Sequence, residues 1–153
     1  MPPHAKDLRK GRVSEPGRIY LITTVTHDRA RILDNLIAAR IAAQEIQRPH
    51  SSGKISSLAW VLMPDHLHWL LQLNAGELSR VVQQFKSRSA IALNQARQGH
   101  GQVWQAGFHD RALRLDEDLR SVARYLIANP LRAGLAERVG DWPYWDAVWL
   151  DQI

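Results

Sequence analysis

Two apolar runs of strand length, residues 57–63 and 66–73, stand on either side of Pro64-Asp65. The two residues between them have turn chemistry, so the runs are expected to fold back on each other as an antiparallel hairpin. A hairpin in mid-chain commits the segments on both sides to be its sheet partners or its cover. Side chains two apart on a strand point the same way. His66 and His68 should therefore share one face, and Leu67, Trp69 and Leu71 the other. Two imidazoles projecting together from a stiff strand make half of a metal site, since neutral imidazole is the commonest protein metal ligand. The same pair could equally be polar residues on a half-exposed sheet face, and the spacing alone leaves both readings open.

The flanking segments supply the partners. Residues 18–26 (RIYLITTVT) are β-branched and aromatic and predict a first strand. Asp34 or Asn35 can cap a helix running to about Gln47, and Arg48-Pro49-His50-Ser51-Ser52-Gly53 has the composition of a loop. After the hairpin, Asn74-Ala75-Gly76 turns into a long helix over about 77–97. Leu78, Val81, Val82, Phe85, Ala90, Ile91 and Leu93 mark its buried side. A fourth strand is expected over about 109–115. Asp116-Glu117-Asp118 then opens a helix whose stripe is Leu119, Val122, Ala123, Leu126 and Ile127, and Pro130 ends or kinks it. Strand, helix, hairpin, helix, strand, helix is the order of a split βαβ unit. The expected fold is thus α+β and ferredoxin-like. It has a four-stranded antiparallel sheet with helices on one face, a second face left for a ligand, and an additional C-terminal helix.

Composition narrows the chemistry. With no cysteine among 153 residues, disulfides, thiolate nucleophiles and Cys-rich zinc sites are excluded. Any metal must then be held by histidine, carboxylate, amide oxygen or water, which favours Mg²⁺ or Mn²⁺ over structural zinc. No apolar run approaches the ~20 residues that span a bilayer and no signal peptide is evident, so a cytoplasmic protein without a membrane partner is expected. A formal net charge of +5 favours a polyanionic partner. Residues 1–17 read as a basic arm and 141–153 as an aromatic tail packing on the intervening domain, 18–140.

The last helix adds a second pair. Tyr125 and Asn129 stand at i and i+4 and therefore lie one above the other. A tyrosine beside an apolar stripe is usually a core-edge aromatic. Here it is paired with an amide oxygen that could join His66 and His68 as a hard metal ligand. A phenol beside a metal is a competent nucleophile, and in a basic protein the natural electrophile is a phosphodiester.

His66-Leu67-His68 resembles the HUH motif (histidine, bulky hydrophobe, histidine) of single-tyrosine, IS200-like transposases. The run from Tyr125 to Leu135 (YLIANPLRAGL) is similar to the tyrosine-helix signature of the REP-associated tyrosine transposases. Further matches are Arg12-Val13-Ser14 with Gly17-Arg18-Ile19-Tyr20, residues 60–66 (WVLMPDH), residues 104–110 (WQAGFHD) and Asp141-Trp142-Pro143-Tyr144, all in the family's order. The resemblance implies that 18–140 is an HUH transposase or endonuclease domain. Such a domain would bind single-stranded hairpin DNA of repetitive extragenic palindromes, cleaving and rejoining strands through a 5′-phosphotyrosine with a divalent metal. Carried over, Tyr125 is the nucleophile, His66 and His68 are metal ligands, and Asn129 stands where the wider superfamily often has a glutamine as third ligand, its alternative role being a helix-end cap before Pro130. The candidate DNA contacts are Arg9, Arg12, Arg18, Lys86 and Arg88, with Trp104 and Phe108 as aromatic stacking faces. His109 and Asp110 are candidates for support. A nucleoid-associated monomer is expected, with a dimer as the alternative. Two rival functions remain: a metal-dependent phosphodiesterase in which water attacks, and a non-catalytic single-stranded nucleic-acid binder.

Overall fold

The structure, a computed structural model, describes residues 14–148. Its strands are β1 (Ile19–Val25), β2 (Ile55–Met63), β3 (His66–Leu73), β4 (His109–Ala112) and β5 (Trp145–Ala147). Its helices are α1 (Leu36–Ser51), α2 (Leu78–Ala96), α3 (Leu119–Ile127) and the single turn α4 (Asn129–Arg132). The sheet order is β4-β1-β3-β2-β5, and every neighbouring pair is antiparallel. The first four strands have the expected ferredoxin-like arrangement. The four-stranded expectation is corrected to five, because Trp145–Ala147 in the aromatic tail pairs with Ala59, Trp60 and Val61 on the open edge of β2. Just before it, the Trp142 indole N–H donates to the Leu62 carbonyl at 3.0 Å.

The β2–β3 hairpin sits at the centre, with Met63 opposite His66 across the Pro64-Asp65 turn. That turn is gripped from outside. The Thr26 N–H donates to the Asp65 carbonyl at 2.9 Å and the Leu33 N–H to the Pro64 carbonyl at 3.0 Å. The register slips by one residue between Ser57 and Ala59. An extra residue in one strand of a pair exchanges its two faces. Ile55 therefore belongs to one core cluster while Ala59, Val61 and Met63 belong to the other.

The two faces carry separate cores. On one, α1 and α2 bring Ala42, Ile46, Val82 and Phe85 against Ile22, Leu67, Trp69 and Leu71. On the other, α3 lays Ala123, Leu126 and Ile127 on Val61, Met63 and Leu70. The second face is therefore not an open ligand platform, since α3 covers part of it. Asn35 caps α1, its side-chain oxygen accepting from the Ala38 N–H at 2.9 Å. Asp118 caps α3, accepting from the N–H groups of Arg120 and Ser121. The loop expected at 48–53 is instead the last turn of α1, which continues through Pro49 to Ser51. Burial of Ala42 and Ile46 holds the helix, and this tertiary packing outweighs the local preference of proline. Ile91, expected to be buried, is 62% exposed. No described helix is long and apolar enough to cross a membrane.

Candidate active site

The alternation of β3 places the histidines as the spacing predicts. Leu67, Trp69, Leu71 and Leu73 enter the α1–α2 core, whereas Leu70, two residues after His68, enters the α3 core. His66 and His68 thus stand on the α3 side, half-buried, with their rings edge to face and centroids 4.8 Å apart.

Each imidazole is held by its Nδ1. His66 Nδ1 lies 2.7 Å from an Asp65 carboxylate oxygen, and the other Asp65 oxygen accepts from Arg29 at 3.2 Å. Burial alone would raise the Asp65 carboxyl. The His66 hydrogen bond and charge, together with Arg29, outweigh that and leave it below its usual value. His68 Nδ1 lies 2.9 Å from Thr23 Oγ1 on the neighbouring strand, with Thr23 and His68 directly opposed in register. Burial, and then the charges of His66 and Arg132, push His68 down to about 4, so it is neutral at neutral pH. With both Nδ1 atoms engaged, the Nε2 atoms are the remaining donors. A histidine fixed through one nitrogen by a carboxylate or hydroxyl, and offering the other, has the outer-shell arrangement of metal-binding histidines.

Tyr125 and Asn129 come from the far wall. Both line a cavity of about 510 Å³ between α3 and the sheet, which His68 and Thr23 also line. The structure therefore brings His68, Tyr125 and Asn129 to one cavity, with His66 beside His68. Tyr125 is 68% exposed. Asn129 does not cap α3, whose final cap is Ala128. It opens α4, with Pro130 in the first turn where a missing N–H is tolerated.

Arg132, one turn further on, ties this wall together. Its Nη2 donates to the Asn129 side-chain oxygen at 2.5 Å and to the Tyr125 carbonyl at 2.7 Å. Its guanidinium carbon sits 3.7 Å from the centre of the Tyr125 ring, within cation–π range. An amide oxygen has two lone pairs, so Asn129 keeps one for another partner. Among the described residues no group of three or more histidines and carboxylates could hold a metal. The donors whose chemistry could hold a divalent cation here are the two imidazole Nε2 atoms and the Asn129 oxygen, which comes from the facing wall of the cavity.

The other expected contacts are scattered. Trp104 and Phe108 are 4% and 6% exposed and belong to the α1–α2 core. Trp104 packs on Phe85 at 5.5 Å, and its indole N–H donates to Ser89 Oγ at 2.9 Å. Their assignment as stacking platforms is corrected: faces spent on the core are not available to bases. Lys86 points at the same segment, donating to the carbonyls of Gln105 at 2.5 Å and Gly107 at 2.7 Å. Burial pushes its ammonium down to about 8. Arg88 lines a separate cavity of about 500 Å³ with Arg48 and Lys54; α2, which carries it, lies on the sheet face away from Tyr125. Arg18, just before β1, pairs with Glu15 at 3.7 Å, five residues upstream of Thr23. Arg9 and Arg12 lie outside the described residues. His109 stands opposite Thr23 in register on β4.

Thr23, Asp65, Arg29, Arg111 and Arg132 carry no role that the sequence alone marks. Asp65 beside His66 was the available signal; Thr23 and Arg111 become neighbours only through strand register.

Comparison with known proteins places this arrangement. The family described as "Transposase IS200 like" matches residues 17–129, a span that contains His66, His68, Tyr125 and Asn129. The chain belongs to this IS200-like transposase family. A Haemophilus influenzae protein named as a REP-associated tyrosine transposase is 28% identical over 141 residues, covering 84% of this chain and 78% of the relative. The REP-associated tyrosine transposase of Escherichia coli is 32% identical over 88 residues, covering 56% of this chain and 50% of its own length. Among solved structures, a REP-associated tyrosine transposase bound to a REP hairpin superposes with a TM-score of 0.71 at 23% identity, covering 88% of this chain and 79% of that one. That likeness bears on the fold.

Proposed function

We propose that this chain is a single-strand DNA endonuclease and strand transferase that acts on hairpin DNA of repetitive extragenic palindromes through a 5′-phosphotyrosine at Tyr125. The observation that carries the reading is the shared cavity: Tyr125 and Asn129 on α3 and α4 face His68 on β3 across it, with His66 alongside. The named relatives, and the hairpin held by the structural neighbour, support hairpin DNA as the partner.

In this reading Tyr125 attacks the scissile phosphorus in line. The phenol gives up its proton to solvent as its oxygen bonds to phosphorus, the bond to the leaving 3′ oxygen breaks, and that oxygen takes a proton from solvent to leave as a free 3′-OH. The phosphotyrosyl ester conserves the phosphodiester linkage, so a second 3′-OH can reverse the step and transfer the strand without a nucleotide cofactor. His66, His68 and Asn129 would hold a divalent cation, Mg²⁺ or Mn²⁺, which when bound neutralises charge on the reacting phosphate. Asp65 and Thr23 keep the two imidazoles aimed and their Nε2 atoms available. Arg132 holds Tyr125 against Asn129 and adds a fixed positive charge beside the phenol. Residues 1–17 serve as the basic arm beside the hairpin, and the protein acts as a cytoplasmic, nucleoid-associated monomer.

The test is cleavage of an end-labelled hairpin oligonucleotide from the protein's own chromosome, with Mn²⁺ present. Wild type should cleave, while Tyr125→Phe and His66→Ala/His68→Ala should bind without cleaving. Hydrolysis retained by Tyr125→Phe would indicate water as the nucleophile. Absence of cleavage by wild type on every flanking hairpin would leave only a binding protein.

A further inference from the structure

We propose that the cavity between α3 and the β1–β4 edge of the sheet is a nucleobase site, taking one unstacked base of the strand whose phosphate faces Tyr125. The proposal rests on the strand-cleavage reading and supplies what that reading lacks, a place where the protein grips the base beside the scissile bond.

The cavity is larger than the catalytic groups need. Its volume, about 510 Å³, falls within the ~300–1,000 Å³ of pockets that take small organic ligands. From the end lined by His68, Tyr125 and Asn129, it extends to Ser121 and Val122 near the start of α3. Leu21 lies on the sheet, one same-face position along β1 from Thr23, while Val122 and Leu126 lie on the helix. These aliphatic walls suit the flat face of a base better than a sugar or a phosphate.

The far rim is polar in a way that suits a base edge. Arg111 stands opposite Leu21 in register and lines the cavity. Glu117 fixes its Nη1 alone, with contacts of 2.8 and 3.0 Å. Among the described residues, Arg111 Nε and Nη2 make no hydrogen bond, so a pair of donors stays on an anchored guanidinium. Paired guanidinium donors match the two acceptors on the edge of guanine. Ser121, whose hydroxyl donates to Asp118 at 2.9 Å, keeps acceptor capacity on the same rim. Ser121 and Tyr125 stand at i and i+4 on α3, about 6 Å apart along the axis. A strand with its phosphate at the phenol therefore has its neighbouring base within reach of this slot.

The test needs no cleavable substrate. The full chain, with methyl-labelled leucine and valine, is titrated with deoxyguanosine 5′-monophosphate and, separately, with 2-deoxyribose 5-phosphate. The nucleotide should give saturable methyl shifts at Leu21, Val122 and Leu126, and the baseless sugar phosphate none. Val122→Trp, which fills the slot, should abolish the shifts. Arg111→Gln should weaken nucleotide binding about tenfold while the same methyls still move. Arg111 is at the surface, so this variant remains informative if Val122→Trp disturbs packing. No saturable shift, equal shifts from the sugar phosphate, or wild-type binding by Arg111→Gln would each overturn the assignment. Since the titration involves no strand cleavage, a wild type that binds the nucleotide but never cuts DNA would refute the proposed activity and leave the base site standing.

Discussion

Replacing Arg132 isolates the contribution of one side chain to the chemistry at Tyr125. Its guanidinium carbon is 3.7 Å from the phenol ring centre, and it hydrogen-bonds Asn129 and the Tyr125 carbonyl. A unit charge at about 4 Å is worth ~1 kcal/mol in bulk water and ~4 kcal/mol at an effective dielectric of 20. Because Tyr125 is 68% exposed, the screened end of that range applies, about 1–2 kcal/mol of transition-state stabilisation, or roughly a five- to thirtyfold rate effect. The structural cost is small, since exposed hydrogen bonds and cation–π contacts contribute about 1 kcal/mol each or less. For a chain of this length that lowers Tm by only about 2–4 °C per kcal/mol. Single-turnover formation of the protein–DNA adduct, at saturating hairpin DNA and Mn²⁺, should therefore slow about five- to thirtyfold in Arg132→Ala. Arg132→Lys, which keeps the charge but loses the planar stack, should fall between. Equal rates for all three proteins would refute the assigned role, as would a loss that only tracks the unfolded fraction.

Asn129→Ala should weaken metal-dependent cleavage with little change in Tm, and excess Mn²⁺ should restore the rate if the side chain is a ligand. Trp104→Ala should destabilise the fold by about 3–5 kcal/mol, as expected for a buried aromatic, and lower DNA affinity only through unfolding. Denaturant titration beside a binding assay separates the two effects. Lys86 gives a pH signature. Its folded value, about 8, lies below the ordinary 10.5, so the unfolded chain binds more protons between those limits. The destabilising cost of the buried ammonium is fully present below pH 8 and is relieved as pH rises toward 10.5. Because the side chain is only half-buried, solvent screening holds the effect to about 1–2 kcal/mol. The wild-type minus Lys86→Gln stability difference should therefore rise over that window, and a flat difference would contradict the shift.

Most of the framework was legible because local pattern and global fold agree. Alternation around Pro64-Asp65 located the hairpin and the shared face of His66 and His68, and the i,i+4 spacing paired Tyr125 with Asn129. What escaped depended on long-range contacts. The residues of β5 look like an aromatic tail, and only the open edge of β2 makes them a strand. The bulge at Leu58 leaves no mark in the composition, yet it exchanges the faces of β2. Trp104 and Phe108 have the chemistry of stacking platforms, and only the three-dimensional packing shows them buried, Trp104 against Phe85 and Ser89. Helix α1 runs through Pro49 because burial upstream outweighs the local break. Thr23 reaches His68 across a strand pair separated by 45 positions in sequence, which no spacing rule would suggest.

In the proposed reaction, Tyr125 attacks DNA from a site framed by His66 and His68. The direct measurement is peptide mass spectrometry on wild-type protein incubated with the cognate hairpin strand and Mn²⁺, denatured, and digested with nuclease and protease. A nucleotide 5′-phosphate should be attached to the peptide containing Tyr125, absent when the metal is chelated and absent from Tyr125→Phe. Cleaved DNA without any tyrosine-linked nucleotide, or an adduct on another residue, would contradict that reaction.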